Sequence, residues 1–587
     1  MPADPSKLDC ATLKGDPDRR LVGDRLPVPL VAMLAVAALT AFYMLGAGTM
    51  QLCEPDEPRC ALIARGMIQS GDYLAPQLLD KPYFDKPPLF FWMLAASVKT
   101  FGENEWALRL PPALIAAVTV VLTGLLAGQL FGRRAAWTGG ATFAVSIAAI
   151  ITARVVRMDL LLALWVTATL LCWSRVFLLS PSVQPDSPQH SALRIQHSVL
   201  STQHCRYLLL MYACIALGCL TKGPVAIALP GLIIAIYLLL SRPLRSIPRD
   251  ILAMRPLLGT LIILALYGSW VAYMTWRYPQ YPAEFFGRQN LDRFAGSGMN
   301  ASEPRWVILG TFVGGLMPWV PLVGLAAWLR RPRWNMPAAD KLLWIWGLTV
   351  LVVFTLSKGR MPNYVLPAFP PTFALLGAYL AGSPERLRKP LAVGLITTFA
   401  LLAVALIGIT IVLRIRLSDM DYLPLAITLT VLAALALPTW LLWKRQPAFA
   451  LLPLLLAAAL AAAAFACGPA QAYCASRSTK TLAAPLAKLD PVSAGEVIMT
   501  TEPRYGAVFY APPGWRFRRV TMSEVNSLLP LLDNSAKPLY AILTGGGILR
   551  ELQQDKVVAV RVSNRLTVLQ RCDSDAFIRI DPRAASD

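Results

Sequence analysis

Charged side chains stand at the ends of apolar runs, and a single membrane topology would place them all on one face. A carboxylate can act as a general base or orient an acceptor group, whereas Lys and Arg neutralise phosphate oxygens. Such a set suits chemistry on a phosphate carried by a lipid, at one site on the outer membrane surface. Its members are Glu54, Asp56, Glu57, Arg59, Asp80, Lys81, Asp85, Lys86, Arg154, Arg157, Asp159, Lys222, Arg288, Asp292, Arg293, Lys358 and Arg360.

The composition identifies the kind of chain that must position these groups. Of its 587 residues, 56% are hydrophobic and only 15% are charged, whereas soluble domains carry about 25% charged residues. The apolar residues form long runs, and a hydrocarbon core of about 30 Å requires roughly 20 residues per helix. These features exclude a disordered, fibrous or ordinary soluble protein. The sequence predicts a polytopic α-helical membrane protein.

The basic residues are distributed as expected for such a protein. The net charge is +21, but small Arg/Lys clusters alternate with apolar runs and form no continuous basic face, which argues against nucleic-acid binding. Clusters of this kind mark cytoplasmic loops. We therefore predict about thirteen spans, with the N-terminus inside and the region after residue 466 outside. The predicted spans cover 28–48, 108–131, 135–153, 159–179, 207–221, 224–240, 257–276, 307–328, 341–357, 363–381, 391–413, 424–443 and 448–466.

The predicted domains follow from these spans. Residues 1–27 form a cytoplasmic N-terminus that is not a cleaved signal, because the apolar stretch after it exceeds a signal peptide's 7–15 residues. Residues 28–466 form the transmembrane domain, with an external loop at 51–106 that has helical patterns near 57–70 and 87–100. A cytoplasmic insertion spans 180–205. Residues 467–587 form an external α/β domain, and its strand-like runs are Val497–Thr500, Val508–Tyr510, Tyr540–Thr544, Val557–Val562 and Leu566–Leu569.

Histidine and cysteine contribute little to a predicted site. His190, His197 and His204 all lie in the cytoplasmic insertion, so external chemistry must rely on carboxylates, Lys and Arg. The ten cysteines include no C-x-x-C pair, and no metal site is predicted. External Cys53 and Cys60 either form a disulfide or pack separately as small apolar residues.

Several motifs occur in a characteristic order over about residues 28–380. The motifs are Glu54–Arg59 (E-P-D-E-P-R), Ser70–Pro76 (S-G-D-Y-L-A-P), Tyr83–Pro88 (Y-F-D-K-P-P), Met158-Asp159, Leu220–Gly223 (L-T-K-G), Asn290–Ala295 (N-L-D-R-F-A), Met317–Trp319 (M-P-W) and Ser357–Tyr364 (S-K-G-R-M-P-N-Y). This order resembles the C-type glycosyltransferases of the dolichyl/undecaprenyl-phosphate mannosyltransferase and aminoarabinose transferase group.

The resemblance implies an inner-membrane enzyme with its active site and C-terminal domain on the periplasmic face. It implies an inverting, nucleotide-independent transfer from a polyprenyl-phosphate sugar to a lipid A-like lipid, a protein or a glycan. The implied catalytic residues are Asp56, Glu57 and Asp159. The implied donor-phosphate residues are Lys86, Arg293, Tyr364 and Lys222, and the supporting residues are Arg59, Tyr83, Asp85, Asn290, Lys358 and Arg360.

Three positions depart from the family pattern. Asp85 stands where the motif usually has glutamate, so any metal or hydrogen bond there is reached by a shorter side chain. Cys60 replaces a tyrosine, and Asn290 stands where aminoarabinose transferases have histidine. These departures leave the sugar and the acceptor open. No cofactor is certain from the sequence, and a divalent metal stays an open alternative.

Two other functions compete with an enzyme. A polytopic transporter or flippase of a lipid-linked or anionic substrate would show inverted repeats and polar groups near the membrane midplane. A non-catalytic scaffold would leave Asp56 and Lys86 replaceable. No convincing repeat is present, and the polar groups gather at one face, which favours the enzyme.

Overall fold

The computed structural model describes most of the first 382 residues and parts of the C-terminal region. The described ranges are 28–178, 202–292, 304–382, 468–489, 496–500, 504–520, 539–543, 566–572 and 575–580, with isolated residues between 397 and 465. Arg293 and nearly all of the predicted insertion lie outside these ranges. Apart from the isolated residues, so do the last three predicted spans.

Helices dominate the described residues. In chain order they are α1 (Val28–Tyr43), α2 (Asp56–Ser70), α3 (Leu89–Phe101), α4 (Glu105–Phe131), α5 (Arg133–Ala144), α6 (Ile147–Thr152), α7 (Asp159–Phe177), α8 (Thr202–Lys222), α9 (Val225–Ser241), α10 (Ile247–Ala253), α11 (Pro256–Ile263), α12 (Ser269–Arg277), α13 (Trp306–Leu316), α14 (Val320–Leu329), α15 (Ala338–Leu356), α16 (Phe369–Ala381), α17 (Pro469–Ser476), α18 (Lys480–Ala483) and α19 (Tyr505–Tyr510). The 3₁₀-helices are Leu244–Ser246, Pro362–Ala368 and Ala484–Lys488, and the π-helices are Leu264–Gly268 and Ala283–Asp292.

Within the described ranges, six helical stretches are long and apolar enough to cross a membrane, and a bent pair raises the number to seven. The chain is therefore a multi-pass α-helical membrane protein, as predicted. The total of about thirteen spans stays a prediction. The six stretches are Glu105–Phe131, Asp159–Phe177, His204–Lys222, Pro256–Arg277, Ala338–Leu356 and Pro362–Ala381.

Two predicted spans are broken rather than straight. The span predicted at 307–328 consists of α13 and α14, which meet at an angle of 104°. Pro318 explains the break, because proline lacks a helix-bonding N–H and disfavours helical geometry at the residue before it. The span predicted at 135–153 is divided into α5 and α6, where the Ser146 hydroxyl accepts a hydrogen bond from Ala149 N at 3.3 Å. The two breaks are in contact, because Ile147 N donates a hydrogen bond to Met317 O at 2.9 Å.

Small residues let α5 and α16 pack closely. A Cβ added to Gly377 would lie 2.6 Å from Ala135 O and 2.8 Å from Gly139 Cα. The rings of Phe143 and Phe373 stack beside this crossing with centroids 4.8 Å apart. Glycine at such a crossing is typical of membrane helices, because close backbone approach replaces the hydrophobic driving force that lipid does not supply.

The chain forms two compact units that do not follow sequence order. The first unit comprises Met1–Leu45, Phe84–Phe90 and Arg109–Ala466, and the second comprises Gly46–Tyr83, Phe91–Leu108 and Cys467–Asp587. The second unit thus unites the loop region after α1 with the C-terminal segment.

The second unit contains a two-stranded hairpin and a five-stranded mixed sheet. In the five-stranded sheet the order is β4-β3-β5-β7-β6, with β3 parallel to β4 and β5, and β7 antiparallel to β5 and β6. Val497, Ile498 and Met499 are all buried, as expected for a central strand covered on both faces. The strands are β1 (Gln77–Leu78), β2 (Lys81–Pro82), β3 (Glu496–Thr500), β4 (Arg516–Val520), β5 (Leu539–Leu543), β6 (Leu566–Cys572) and β7 (Asp575–Ile580).

One strand prediction in this unit is wrong. Val508–Tyr510 carries residue types favoured in strands, but it forms the end of α19, between the parallel strands β3 and β4. Parallel neighbours need a crossover connection, and tertiary context overrides a weak strand propensity. The strand-like run Val557–Val562 lies outside the described residues.

Both helical patterns predicted in the external loop are confirmed as α2 and α3. Helix α2 ends at Gly71, which has φ of 70° and donates its N–H to Met67 O; glycine adopts this left-handed conformation without steric cost. The inner face of α2 buries Cys60, Ile63 and Ala64, and the helix packs against α19.

Candidate active site

The ends of two membrane helices hold an ion pair in the first unit. Asp159 is the first residue of α7 and Lys222 is the last residue of α8. Lys222 Nζ donates a hydrogen bond to Asp159 Oδ1, and the two side chains are only 12% and 14% exposed. An acid at a helix N-terminus and a base at a C-terminus are both favoured by the helix dipole. Ionisable pairs in membrane segments are costly and usually functional.

Gly223 explains why α8 ends at Lys222. Its φ is 81°, a conformation suited to glycine, and its N–H donates to Cys219 O at 2.8 Å. A Cβ at this position would lie 2.7 Å from Phe285 Cζ. Glycine therefore ends the helix and also admits the Phe285 ring beside Lys222.

Tyr364 also contacts Lys222. Lys222 Nζ is 4.2 Å from the centroid of its ring, within the range of a cation–π contact. Tyr364 belongs to the 3₁₀-helix Pro362–Ala368 and packs on Phe354, with ring centroids 5.3 Å apart. The ammonium group of Lys222 thus contacts both a carboxylate and an aromatic face.

Two further cations act on Asp159. Lys86 and Arg157 both attract its carboxylate electrostatically, in addition to Lys222. Three cations and one carboxylate give this location an excess of positive charge, which suits a phosphate group. We use the term cationic cluster for Lys86, Arg157, Asp159, Lys222 and Tyr364.

The segment around Lys86 is connected to the π-helix Ala283–Asp292. Lys86 Nζ donates to Asp85 O at 2.8 Å, and Gln289 Nε2 donates to Asp85 Oδ1 at 2.9 Å. Asn290 Nδ2 instead donates to Phe285 O within its own helix, at 2.6 Å. Asp85 thus acts as a hydrogen-bond acceptor that orients this segment, and Asn290 shapes its helix.

Lys358 and Arg360 lie in the break between α15 and the 3₁₀-helix that carries Tyr364. Lys358 is exposed, and Arg360 Nη1 donates to Ser357 O at 2.8 Å. The guanidinium therefore helps to close the turn that precedes Tyr364.

The predicted acidic residues lie in the second unit. We call Glu54–Arg59 the acidic motif. Asp56 is the first residue of α2 and pairs with Arg59 one turn later. Glu57 is buried, and its Oε2 accepts a hydrogen bond from Cys53 N at 2.7 Å. Tyr83 lies near Arg59 and packs edge-on against Phe91, with centroids 6.0 Å apart.

The described residues contain neither a disulfide between Cys53 and Cys60 nor a group of possible metal ligands. Cys53 and Cys60 are not joined by a disulfide, and Cys60 is buried, so the disulfide alternative is wrong and separate packing is confirmed. Across the described part of the chain, no three His, Cys, Asp or Glu side chains are grouped so that they could hold a metal ion.

Comparison with known proteins identifies the class. Residues 30–280 match the family model of dolichyl-phosphate-mannose-protein mannosyltransferase. The undecaprenyl phosphate-alpha-4-amino-4-deoxy-L-arabinose arabinosyl transferase of Shewanella sediminis is 28% identical over 395 residues, which are 67% of this chain and 68% of the relative. The chain is a glycosyltransferase that is similar to the C-type family. The motif resemblance is thereby confirmed.

One further sequence and one solved structure are similar to this glycosyltransferase. An arabinosyl transferase of the same description from Pseudomonas fluorescens is 30% identical, over 59% of this chain and 58% of the relative. The crystal structure of ArnT from Cupriavidus metallidurans bound to undecaprenyl phosphate has a TM-score of 0.74 at 21% identity, covering 96% of this chain and 99% of that one. The glycosyltransferase therefore shares the ArnT fold.

The structure brings most predicted residues into two groups. Lys86, Asp159, Lys222 and Tyr364 meet in the cationic cluster, and Asp56, Glu57, Arg59 and Tyr83 gather at the acidic motif. Arg293 lies outside the described residues.

The sequence places Arg157 only in the charged set expected on one membrane face and predicts no role for Gln289. The further sequence signal of each residue is its position beside a motif: Arg157 precedes Met158-Asp159, and Gln289 precedes Asn290.

Proposed function

We propose that this glycosyltransferase transfers a sugar from undecaprenyl phosphate to a lipid A-like acceptor at the external face of the inner membrane. The observation that carries the proposal is the cationic cluster, which has three cations around one carboxylate at the ends of membrane helices. The named relatives act on undecaprenyl phosphate-linked 4-amino-4-deoxy-L-arabinose, so this sugar is the first donor to test. Protein and glycan acceptors are the alternatives in the same experiment.

The proposed reaction is a single inverting displacement. An acceptor oxygen attacks the anomeric carbon, the bond between that carbon and the phosphate oxygen breaks, and polyprenyl phosphate leaves with the bonding electrons. Asp56 takes the proton of a hydroxyl acceptor; when the acceptor is an ionised phosphate, Asp56 orients it instead. Positive side chains stabilise the charge that develops on the leaving phosphate. The phosphate-binding residues are Lys86, Arg293, Lys222 and Tyr364.

Supporting residues hold these groups in place. Asp159 fixes Lys222 through their ion pair, and Arg59 fixes the carboxylate of Asp56. Asp85, through Gln289, orients the segment that carries Lys86. Glu57 and Asp159 stay proposed catalytic residues beside Asp56, and the remaining supporting residues of the proposal are Tyr83, Asn290, Lys358 and Arg360.

The proposed topology has about thirteen transmembrane helices between residues 28 and 466, a cytoplasmic N-terminus over 1–27 and an external α/β domain over 467–587. The positive-inside distribution of Arg and Lys supports this orientation, and the five-stranded sheet supports an α/β C-terminal domain. Labelling of single introduced cysteines in intact cells would test each predicted loop.

The direct test is transfer by the full-length protein in lipid nanodiscs. Radiolabelled undecaprenyl phosphate–aminoarabinose is supplied with lipid A, with a protein acceptor or with a glycan acceptor. We expect label in lipid A, and a large loss for Lys86→Ala. Lys81→Ala is the matched control, because Lys81 belongs to the predicted charged set but is an exposed lysine of β2 outside the cationic cluster. Binding of the carrier lipid without transfer to any acceptor would contradict the proposal.

A further inference from the structure

The carboxylate of Glu54 attaches the acidic motif to the C-terminal segment of the second unit. Glu54 Oε1 accepts hydrogen bonds from Thr479 Oγ1 at 2.7 Å and from Gly506 N at 2.5 Å. The backbone N–H of Glu54 donates to Arg477 O at 3.1 Å. One residue thus makes three contacts with a segment that begins more than four hundred positions later in the chain.

The site that receives this carboxylate is built for it. Thr479 is 4% exposed. A Cβ added to Gly506 would lie 2.5 Å from Thr479 Oγ1 and 2.8 Å from Glu54 Oε1. No residue larger than glycine therefore fits at position 506 while the carboxylate is in place.

Other contacts hold the same region against α19. Leu52 N donates to Tyr510 Oη at 2.9 Å, so the chain is attached two residues before Glu54 as well. Arg65, in the middle of α2, donates to Phe509 O at 2.7 Å, and its guanidinium lies 4.7 Å from the Phe509 ring centroid. Helix α2 is thus supported at its start and along its length, and Glu54 is the contact nearest to Asp56.

We propose that Glu54 is a positioning residue that fixes Asp56 through its hydrogen bonds to Thr479 and Gly506. Only Pro55 separates Glu54 from Asp56, and proline restricts its own φ angle and the conformation of the residue before it. The connection therefore has little freedom, and a displaced Glu54 displaces Asp56. This inference rests on the role of Asp56 in the proposed function.

The inference is tested by steady-state transfer kinetics of the full-length enzyme in nanodiscs. Glu54→Ala should lower kcat at least tenfold and change the donor KM less than threefold, because the donor-phosphate residues are untouched. Glu54→Gln should keep at least a third of kcat, since its amide oxygen can accept both hydrogen bonds. Glu103→Gln is the matched control: this carboxylate of the same unit pairs with Arg65 and is 36% exposed.

Variants of the partner residue test the same contact from the other side. Thr479→Val removes the donor and keeps the shape, so it should lower kcat severalfold. Thr479→Ser restores the hydroxyl and should restore kcat. This pair keeps the inference falsifiable if Glu54→Ala does not fold. Equal kcat for Thr479→Val and Thr479→Ser would overturn it.

The reactivity of Cys60 measures the packing of α2, which depends on the Glu54 contacts, independently of transfer activity. This thiol lies on α2 and is 5% exposed, so its alkylation, measured by peptide mass spectrometry, reports whether α2 stays packed. We expect at least fivefold faster alkylation in Glu54→Ala and no change in Glu54→Gln. Unchanged alkylation in Glu54→Ala would overturn the anchoring role of Glu54.

Asp56→Asn, assayed in parallel, distinguishes a failure of the positioning role of Glu54 from a failure of the proposed role of Asp56. If Asp56→Asn is inactive while Glu54→Ala keeps wild-type kcat, the positioning role fails and the proposed function stands. If Asp56→Asn transfers sugar at the wild-type rate, the proposed role of Asp56 fails and the positioning role fails with it. Cys60 reactivity then decides whether Glu54 anchors α2 at all.

Discussion

The cationic cluster and the acidic motif are assembled in opposite ways. The cationic cluster collects Lys86, Asp159, Lys222 and Tyr364 from four separate segments of the first unit. The acidic motif is a run of six consecutive residues in the second unit, but its anchors are Thr479 and Gly506, far along the chain. A contiguous motif thus supplies the side chains of a site without determining what holds them.

The two regions also differ in how their charges are compensated. In the cationic cluster one carboxylate faces three cations, so positive charge is in excess. In the acidic motif Asp56 pairs with Arg59, while the carboxylates of Glu57 and Glu54 accept hydrogen bonds from backbone and hydroxyl groups. Mutations should therefore affect donor binding in the first region and transfer chemistry in the second.

The largest expected effect is that of Asp56→Asn, which keeps the volume and removes the charge. Transfer should fall by about 10²–10⁴-fold, the usual range for loss of a general base, with little change in thermal stability. Single-turnover transfer and thermal unfolding measure the two quantities. Asp80→Asn is the control, because Asp80 belongs to the predicted charged set but lies outside the acidic motif, is exposed and has φ of 61°, which asparagine also tolerates. Near wild-type turnover of Asp56→Asn would remove it from the mechanism.

The next effect is on the stability of the cationic cluster. Asp159→Asn leaves the buried ammonium of Lys222 without its counter-charge, which should cost about 3–5 kcal/mol. Adding Lys222→Met should recover a large part of that stability, because the uncompensated charge is removed as well, but not donor binding. Chemical denaturation in detergent provides the comparison. Additive losses in the double variant would show that the two side chains do not act as a pair.

Donor binding should weaken by a smaller amount when one phosphate contact is lost. Lys86→Ala and Arg293→Ala should each weaken binding of undecaprenyl phosphate by about 1.5–3 kcal/mol, the range for a hydrogen bond to a charged group. Arg293→Lys should rescue only in part, because lysine lacks the forked guanidinium. Titration in nanodiscs measures the affinity. If both alanine variants bind as tightly as wild type, Lys358 and Arg360 become the next candidates for the phosphate site.

The acidic motif should respond to pH through Glu54. Burial raises the pKa of this carboxyl, although Thr479, Gly506, Arg504 and the backbone of Tyr505 act in the opposite direction. A raised pKa means that the folded state holds the proton more tightly than the unfolded state. The contribution of Glu54 to stability is therefore fully present below the unfolded pKa and is lost as pH rises through the folded one.

Protease resistance of the second unit measures this pH effect. As the pH falls through the range of carboxyl titration, wild type should gain more resistance than Glu54→Gln, whose side chain does not titrate. Identical pH profiles for the two proteins would contradict the raised pKa.

The smallest expected effect concerns an ion pair at the edge of the second unit. Lys480 Nζ lies 2.9 Å from Glu105 Oε1, but its side chain is 47% exposed. Exposed pairs contribute about 0–1 kcal/mol, so Lys480→Met should change thermal stability only slightly and transfer not at all. A loss of transfer comparable to that of Glu54→Ala would show that the contacts of the C-terminal segment act together rather than through Glu54.

Much of the fold could be predicted from apolar runs and the residues that end them. The helix Asp159–Phe177 was predicted at 159–179, and Gly223 follows Lys222 at the end of α8, because hydropathy and helix-ending residues act within one or two turns of the chain. The same local signals could not show the 104° angle between α13 and α14, since hydropathy carries no information on direction. The same local signals predict a strand at Val508–Tyr510, where the structure has the end of α19. These residue types favour a strand, and the packing around the sheet that overrides this preference cannot be read from the local sequence.

Residue types and hydropathy along the chain are enough to show which residues carry charge, where apolar helices form and which family the motifs resemble. Which charges meet depends on the folding of the whole chain. Asp159 and Lys222 are 63 positions apart, and Glu54 and Thr479 are 425 positions apart. Such pairs leave no periodic or local pattern, because a hydrogen bond depends on a few ångströms of space and not on separation along the chain. The need for glycine at position 506 likewise becomes visible only where a Cβ would collide with Glu54 and Thr479.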